Sequence, residues 1–289
     1  MLSLSDIVNV KVGIGRGVFE APGATVIGGK KPSFNLEILK LFANGEQGFW
    51  YDPNDLGVMY QDSAGTVPVA AVGQPVGLNL DKSRGLVVGN NVSLVSTATK
   101  TVDGERYINL INNVVYAYKW FDIEFTLNSI TAGGSVFIDG PNGGTSRNFT
   151  SLPLGKNKIR ILVGSVGVMR LGSVLTSRYD ISEITIKELA GNHAYQPTSA
   201  ARPILQDAPR RIDFDTVDDK LITNLPAQLT GCTVIRSVPG VGAQILTNQT
   251  IPATYEDNKD HCGLIVINRA LTPSETSAIA AEFNKRAGV

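Results

Sequence analysis

Apolar residues along this chain recur in short runs at strand spacing rather than in long helical stripes. Examples are "SVFIDG" (135–140), "KIRILVGSVGVMRLG" (158–172), "YDISEITIKEL" (179–189) and "CGLIVINRAL" (262–271). In "YDISEITIKEL" the alternation of Ile184 and Ile186 with Thr185 and Lys187 reads as a half-buried strand, whereas Ile181 and Leu189 fall out of period two. Thirty glycines and fourteen prolines separate such runs. Short strands punctuated at this rate indicate an all-β sandwich or barrel.

Helical signals are confined to two places. In "LTPSETSAIAAEFNKRAGV" (271–289), Thr272 can cap, Pro273 fits the first helical position and Glu275 completes a capping box. Ile279 and Phe283 then share a face, and Lys285 and Arg286 fall in the last turn before Gly288. A shorter helix is expected in "SFNLEILKLFANG" (33–45), with Leu36, Ile38, Leu39, Leu41 and Phe42 as its apolar face and Gly45 as its stop. Ahead of it, residues 1–32 alternate at Ile7, Val8, Val10, Val12 and Ile14 and then dissolve into Gly and Pro. This reads as an extended arm or edge strand, which needs the body of the protein or a neighbouring chain to bury it. The four residues Ile7, Val8, Val10 and Val12 are therefore the expected assembly contacts.

Two turn-rich stretches define a joint. When residues 84–190 are removed, "VGLNLDKS" runs directly into "GNHAYQPTSAARPIL", an Asp-Lys-Ser-Gly-Asn-His turn between extended pieces. This resembles the turn of laminin-G-like, concanavalin-type sandwiches. The "FDGVDDYL"-like strand that follows it in such domains has its counterpart in "IDFDTVDDKLIT" (212–223), with Thr216 in place of the usual Gly. The excised piece has the size of one β-sandwich, and its closing strand resembles those of carbohydrate-binding-module-like jelly rolls. The resemblance implies a 1–40 arm with a short helix, an outer sandwich of residues 41–83 plus 191–289, and an inserted sandwich at 84–190. Insertion of this kind is tolerated where chain ends lie close together. Only about forty residues separate "DDKLIT" from "CGLIVINRAL", so a truncated outer sandwich is expected.

The flanks, "NGEQGFWYDPNDLGVMYQDSAGTVPVAAVGQPVGLNLDKS" and "GLIVINRALTPSETSAIAAEFNKRAG", are similar to segments of tailed-bacteriophage structural proteins. "LSLSDIVNV" is similar to the start of some phage tail-tube and sheath-type proteins. The resemblance implies a non-enzymatic virion component, tail-associated or on the capsid surface, assembled in the host cytoplasm. Its partners would be other virion proteins and further copies of itself. The alternatives are a receptor-binding module for host-surface polysaccharide and a polysaccharide-degrading enzyme.

At 289 residues, two domains and a sizeable core are expected. Charge narrows the partners: 26 basic residues balance 26 acidic ones. No long-range field gathers nucleic acid or anionic lipid. No apolar run reaches the roughly 20 residues of a membrane helix. Asp6, inside what would be the apolar part of a leader, argues against a secretory signal. Two cysteines, Cys232 and Cys262, suit a cytosolic origin as buried thiols, with pairing open if their strands are adjacent.

Candidate chemistry is sparse. His193 sits in the joint and reads as a turn histidine tying loop backbone rather than a ligand or base, since no Cys or carboxylate stands at ligand spacing. Asp213, Asp215 and Asp218, with Asp219, could coordinate calcium, which wants several oxygen ligands; the competing reading is solvated carboxylates at a strand end. No other cofactor is expected. "YDPNDLG" (51–57) reads as an Asx-Pro turn. "GIGRG" (13–17) lacks the Lys-Ser/Thr and following helix of a phosphate loop. No Gly-x-Ser-x-Gly elbow is present. In "YAYKWFDIEF" (116–125), Tyr116, Tyr118 and Trp120 share one strand face and Phe121, Ile123 and Phe125 the other. One face must be core, which leaves the other as a platform for stacking a glycan. The alternative packs Trp120 in the sandwich centre. Trp50 and Tyr51 are expected as a lid on the outer sandwich.

Overall fold

The computed structural model describes residues 33–93, 100–103, 107–114, 119–130, 136–139, 147–149, 152–163, 167–173 and 178–289. The arm contacts Ile7, Val8, Val10 and Val12 and the "GIGRG" segment lie outside the described residues, as do Tyr116 and Tyr118. Helix α1 (Phe34–Leu41) leads into β1 (Gly48–Tyr51), β2 (Met59–Tyr60) and β3 (Leu78–Asn79). Nine strands follow: β4 (Val88–Asn91), β5 (Lys100–Asp103), β6 (Tyr107–Val114), β7 (Lys119–Ile130), β8 (Val136–Asp139), β9 (Arg147–Phe149), β10 (Gly155–Val163), β11 (Gly167–Ser173) and β12 (Arg178–Leu189). The chain closes with β13 (Ala194–Tyr195), β14 (Ile204–Gln206), β15 (Arg211–Asp213), β16 (Leu221–Asn224), β17 (Leu229–Val238), β18 (Gly242–Ile251), β19 (Thr254–Asp257), β20 (Gly263–Ile267) and α2 (Pro273–Ala287).

Strand pairing separates two sets. Strands β4 to β12 pair with one another, as a sheet ordered β10-β7-β12-β4, with β5 also on β12, and a second ordered β6-β11-β8-β9. The remaining strands form the sheets β1-β20-β17-β18 and β19-β16-β13-β3-β2, plus the β14-β15 ribbon. The fold is an all-β sandwich architecture with a C-terminal helix. Three strands, β17 to β19, fill the forty-residue interval in which a truncation is expected.

The layers follow from alternation along each strand. Trp50, Ile235, Ile265 and Ile267 face Ile38, Leu41 and Phe42 beside α1 and Ile279 and Phe283 of α2. From the other face of that sheet, Phe49, Tyr51, Leu264 and Val266 meet Met59, Ala194 and Leu221. Trp50 and Tyr51 are thus core, 0% and 1% exposed, and not a lid. Leu36, placed on the apolar face of α1 by its spacing, is 48% exposed instead, because α1 buries only a narrow stripe at Ile38 and Leu41. Helix α2 has the expected capping box between Thr272 and Glu275, with Gly288 in the left-handed region as its C-cap. Arg269 holds the Glu275 carboxyl down at about 2, so this cap stays ionised.

Strand β12 explains its own irregular pattern. A bulge between Ser182 and Thr185, with Glu183 at φ +53°, inserts one residue and restores parity. Tyr179, Ile181, Ile184 and Ile186 thereby all reach the core with Phe121, Ile123, Phe125, Ile159 and Ile161.

Candidate functional site

The joint is organised by one buried carboxylate. Asp81, fully buried, accepts the Trp50 and Ser83 N–H groups on Oδ1, each at 2.8 Å. Its Oδ2 accepts the Ser83 hydroxyl at 2.9 Å and the Asn192 N–H at 2.8 Å. Both chain crossings between the two strand sets therefore bind one side chain. His193, also fully buried, accepts the Asp81 N–H on Nδ1 at 2.9 Å. Burial, then Arg160, lowers its pKa to about 3, so the ring is neutral and serves as an acceptor. Burial raises the Asp81 carboxyl to about 6 against the pull of its N–H partners. Asn192 adds two ties: its amide donates to the Gly48 carbonyl at 2.8 Å, and its own carbonyl accepts from the Tyr51 hydroxyl at 2.6 Å.

Charges pin the same region from outside. Lys82, beside Asp81, pairs with Asp52 at 3.1 Å and Asp55 at 2.8 Å while its ammonium lies over the Trp50 ring. Arg286 of α2 reaches Asp52 at 2.7 Å. The "YDPNDLG" turn forms as expected, with Asp52 accepting the Asn54 N–H and Asp55 the Gly57 N–H. A second network joins Arg236 to Asp257 at 2.6 Å, and His261 stands 3.1 Å from the same carboxylate. Burial alone would raise Asp257, but Arg236 and His261 hold it at about 2.

Trp120 lies on the floor of the inserted strands. It is 2% exposed and joins Leu162 and Leu189 in the core cluster of the outer sheets. Its ring meets His193 and Tyr195, each with centroids 5.6 Å away. It is therefore not a glycan-stacking residue: at Trp120 and Phe121 both faces of β7 are core, one against the outer sheets and one within the inserted sandwich, and only from Glu124 onward does the Trp120-bearing face reach the surface. Beside it, Arg160 donates to the Gly65 carbonyl at 3.0 Å, pairs with Asp122 at 3.0 Å and lies over the Tyr60 ring. Its backbone N–H donates to Ala64 at 2.7 Å.

The acidic set divides. Asp213 ends β15, where it pairs with Arg211 at 2.8 Å, and does not join the other acids. Asp215, Asp218 and Asp219 bring carboxylate oxygens within 4.8 Å of one another. Thr216, at φ +64° where a glycine is usual, reverses the loop between them. Asp215 Oδ1 accepts the N–H groups of Val217, Asp218 and Asp219, and the Val217 bond chiefly lowers its pKa. Burial, together with the neighbouring acids, raises Asp219, whose Oδ2 takes the Asp215 N–H. Three carboxylates of the kind calcium takes are thus gathered, with part of their acceptor capacity already used by the loop. They border an open groove of about 500 Å³ lined also by Gln196, Lys220 and Glu256.

A second polar groove, of about 320 Å³, lies where the Trp120-bearing face of the inserted sheet emerges past the outer sheets. Glu124, Thr126, Lys156, Lys158 and Glu183 line it. Lys158 bridges Asp122 and Glu124, each at 2.9 Å, and Thr126 donates to Glu183 at 2.9 Å. Single-sequence reasoning missed this groove because its residues meet only through the β7-β10-β12 register and the β12 bulge.

Comparison with known proteins adds little to this geometry. No family model matches the chain, and no curated protein matches it. One solved structure similar over 77% of the chain is dimeric latent PorU from Porphyromonas gingivalis, at 12% identity and a TM-score of 0.17. The match spans 20% of that protein's chain.

Proposed function

We propose that this chain is a non-enzymatic structural component of a bacteriophage virion, tail-associated or on the capsid surface, which assembles through its N-terminal arm and displays β-sandwiches outward. The observation that carries the reading is the fixed joint. Asp81 clamps both crossings of the insertion, and Trp120 and Arg160 seat the inserted sheet on the outer one. A display element held in a repeating assembly needs one orientation per copy, and a buried, hydrogen-bonded joint supplies it. The sequence resemblance to tailed-phage structural segments supports the same reading.

A second reading, a module that grips host-surface polysaccharide, draws on the polar groove of Glu124, Thr126, Lys156, Lys158 and Glu183. Light scattering of the purified chain tests between them. A defined oligomer supports the virion reading. A monomer at all concentrations, retarded by host polysaccharide in affinity electrophoresis, supports the second.

A further inference from the structure

Sheet edges are the places where this fold could accept another chain, and five of the described ones carry visible guards. On β18, the Ala243 N–H is taken by Asn284, the Thr247 carbonyl by the Gln249 amide, and Asn248 at φ +55° breaks the line of the strand. On β10, Arg160 binds Ala64 through its backbone, and Lys156 and Lys158 flank it. On β1, Trp50 is tied to Asp81. β2 is closed by the Tyr60–Pro68 bridge, and β19 carries Glu256 and Asp257.

Strand β4 differs. It pairs with β12 on one side and is exposed along its length. The Val87 carbonyl and Val92 N–H point to β12, where they meet Ala190 and Ile186, so Val88 and Asn91, paired with Leu189 and Lys187 on either side of a bulge, turn their own backbone groups away. The eight residues "GLVVGNNV" (85–92) contain no charge and no proline, and Val87 and Val88 are 60% and 44% exposed. This is the profile of a strand that accepts a partner. Helix α1 lies beside it, with Leu39 Cδ2 3.8 Å from where a Cβ on Gly85 would stand.

We propose that the β4 edge receives the alternating segment Ile7–Ile14 of a neighbouring copy as an added antiparallel or parallel strand. The donor "IVNVKVGI" also has eight residues, and Lys11 is its one charge. Residues 15–33, if extended, span roughly 60 Å, enough to leave one body and cross to the next. The inference rests on the assembly reading above and names its acceptor surface.

Disulfide trapping in the full chain tests it. Cys232 and Cys262 are both fully buried and form a silent background. One preparation carries Val88→Cys; others carry Ile7→Cys, Val8→Cys, Val10→Cys or Val12→Cys singly. Mixed and mildly oxidised, at least one pair gives a covalent dimer, and Val88→Lys in an otherwise unmodified chain loses the oligomer without lowering the melting temperature. Trapping only within a single chain bearing both cysteines overturns the proposal, since the segment then folds on its own body. No trapping at any of the four positions also overturns it. In that case light scattering separates the two ideas: an oligomer rejects the β4 edge alone, and a monomer rejects the assembly reading with it.

Discussion

Asp81 and Asn192 are 111 positions apart in sequence, yet the carboxylate of the first accepts the backbone N–H of the second at 2.8 Å. The pair closes the loop out of which the inserted strands grow. Burial raises the Asp81 pKa to about 6, above the ordinary value near 3.9 of an unfolded chain. The folded state therefore binds the extra proton: stability from this group is full below about pH 4 and is lost as pH rises through 6. The unfolding free energy of the native chain, relative to Asp81→Asn, is expected to fall by about 2 kcal/mol between pH 4 and pH 7. Urea denaturation of both proteins across that range checks it; a constant difference would contradict it.

Gly191 stands at φ +133°, and a Cβ there would lie 2.9 Å from His193 Cε1 and 3.1 Å from Asp81 Oδ2. Neither neighbour can withdraw without breaking the joint. Gly191→Ala is expected to cost about 2 kcal/mol or more, from backbone strain and displaced hydrogen bonds. Gly73→Ala is a control for conformation alone, since its φ is +84° with nothing within 4 Å of the added Cβ.

Trp120 and Trp50 are the chain's two tryptophans, and they sit on opposite faces of the outer sandwich. Trp120→Ala is expected to cost about 3–5 kcal/mol. If the inserted and outer sheets unfold as one unit, the remaining Trp50 fluorescence reports that loss in full. An unchanged Trp50 midpoint, with part of the far-ultraviolet ellipticity melting early, would show two independent units.

Cys232 and Cys262 flank opposite ends of the β17–β20 ladder, which runs from Thr233 with Ile267 to Ser237 with Gly263. Their Cα atoms are then roughly 15–20 Å apart, well beyond disulfide reach. Burial also pushes both thiols up. Ellman's reagent is expected to find two thiols in denaturant and almost none in the folded protein. Mobility on a gel should be the same with and without reductant.

The sequence made some of this legible and hid the rest for identifiable reasons. Capping residues act within one turn, so Thr272, Pro273 and Glu275 announced α2 without reference to anything distant. The joint was legible because both ends of the insertion carry turn residues that read through when joined. Alternation placed Trp120 and Phe121 on opposite faces of β7, but it does not say which face is exposed when both are covered. Asp213 and Asp219 exchanged places in the acidic set because the end of β15 fixes the first beside Arg211, while the reversal at Thr216 carries the second back to Asp215. The Arg160–Asp122 pair depends on cross-strand register, which no local pattern encodes.

The pairing of Gly48 with Ile267 has a consequence for the order of events during synthesis. At roughly 5–20 residues per second, β20 leaves the ribosome roughly 10–45 s after β1. All nine inserted strands emerge in that interval, and their partners are near in sequence by comparison. The inserted sandwich can close first, and its floor of Trp120, Leu162 and Leu189 then waits uncovered as the surface on which the outer sheets are laid down.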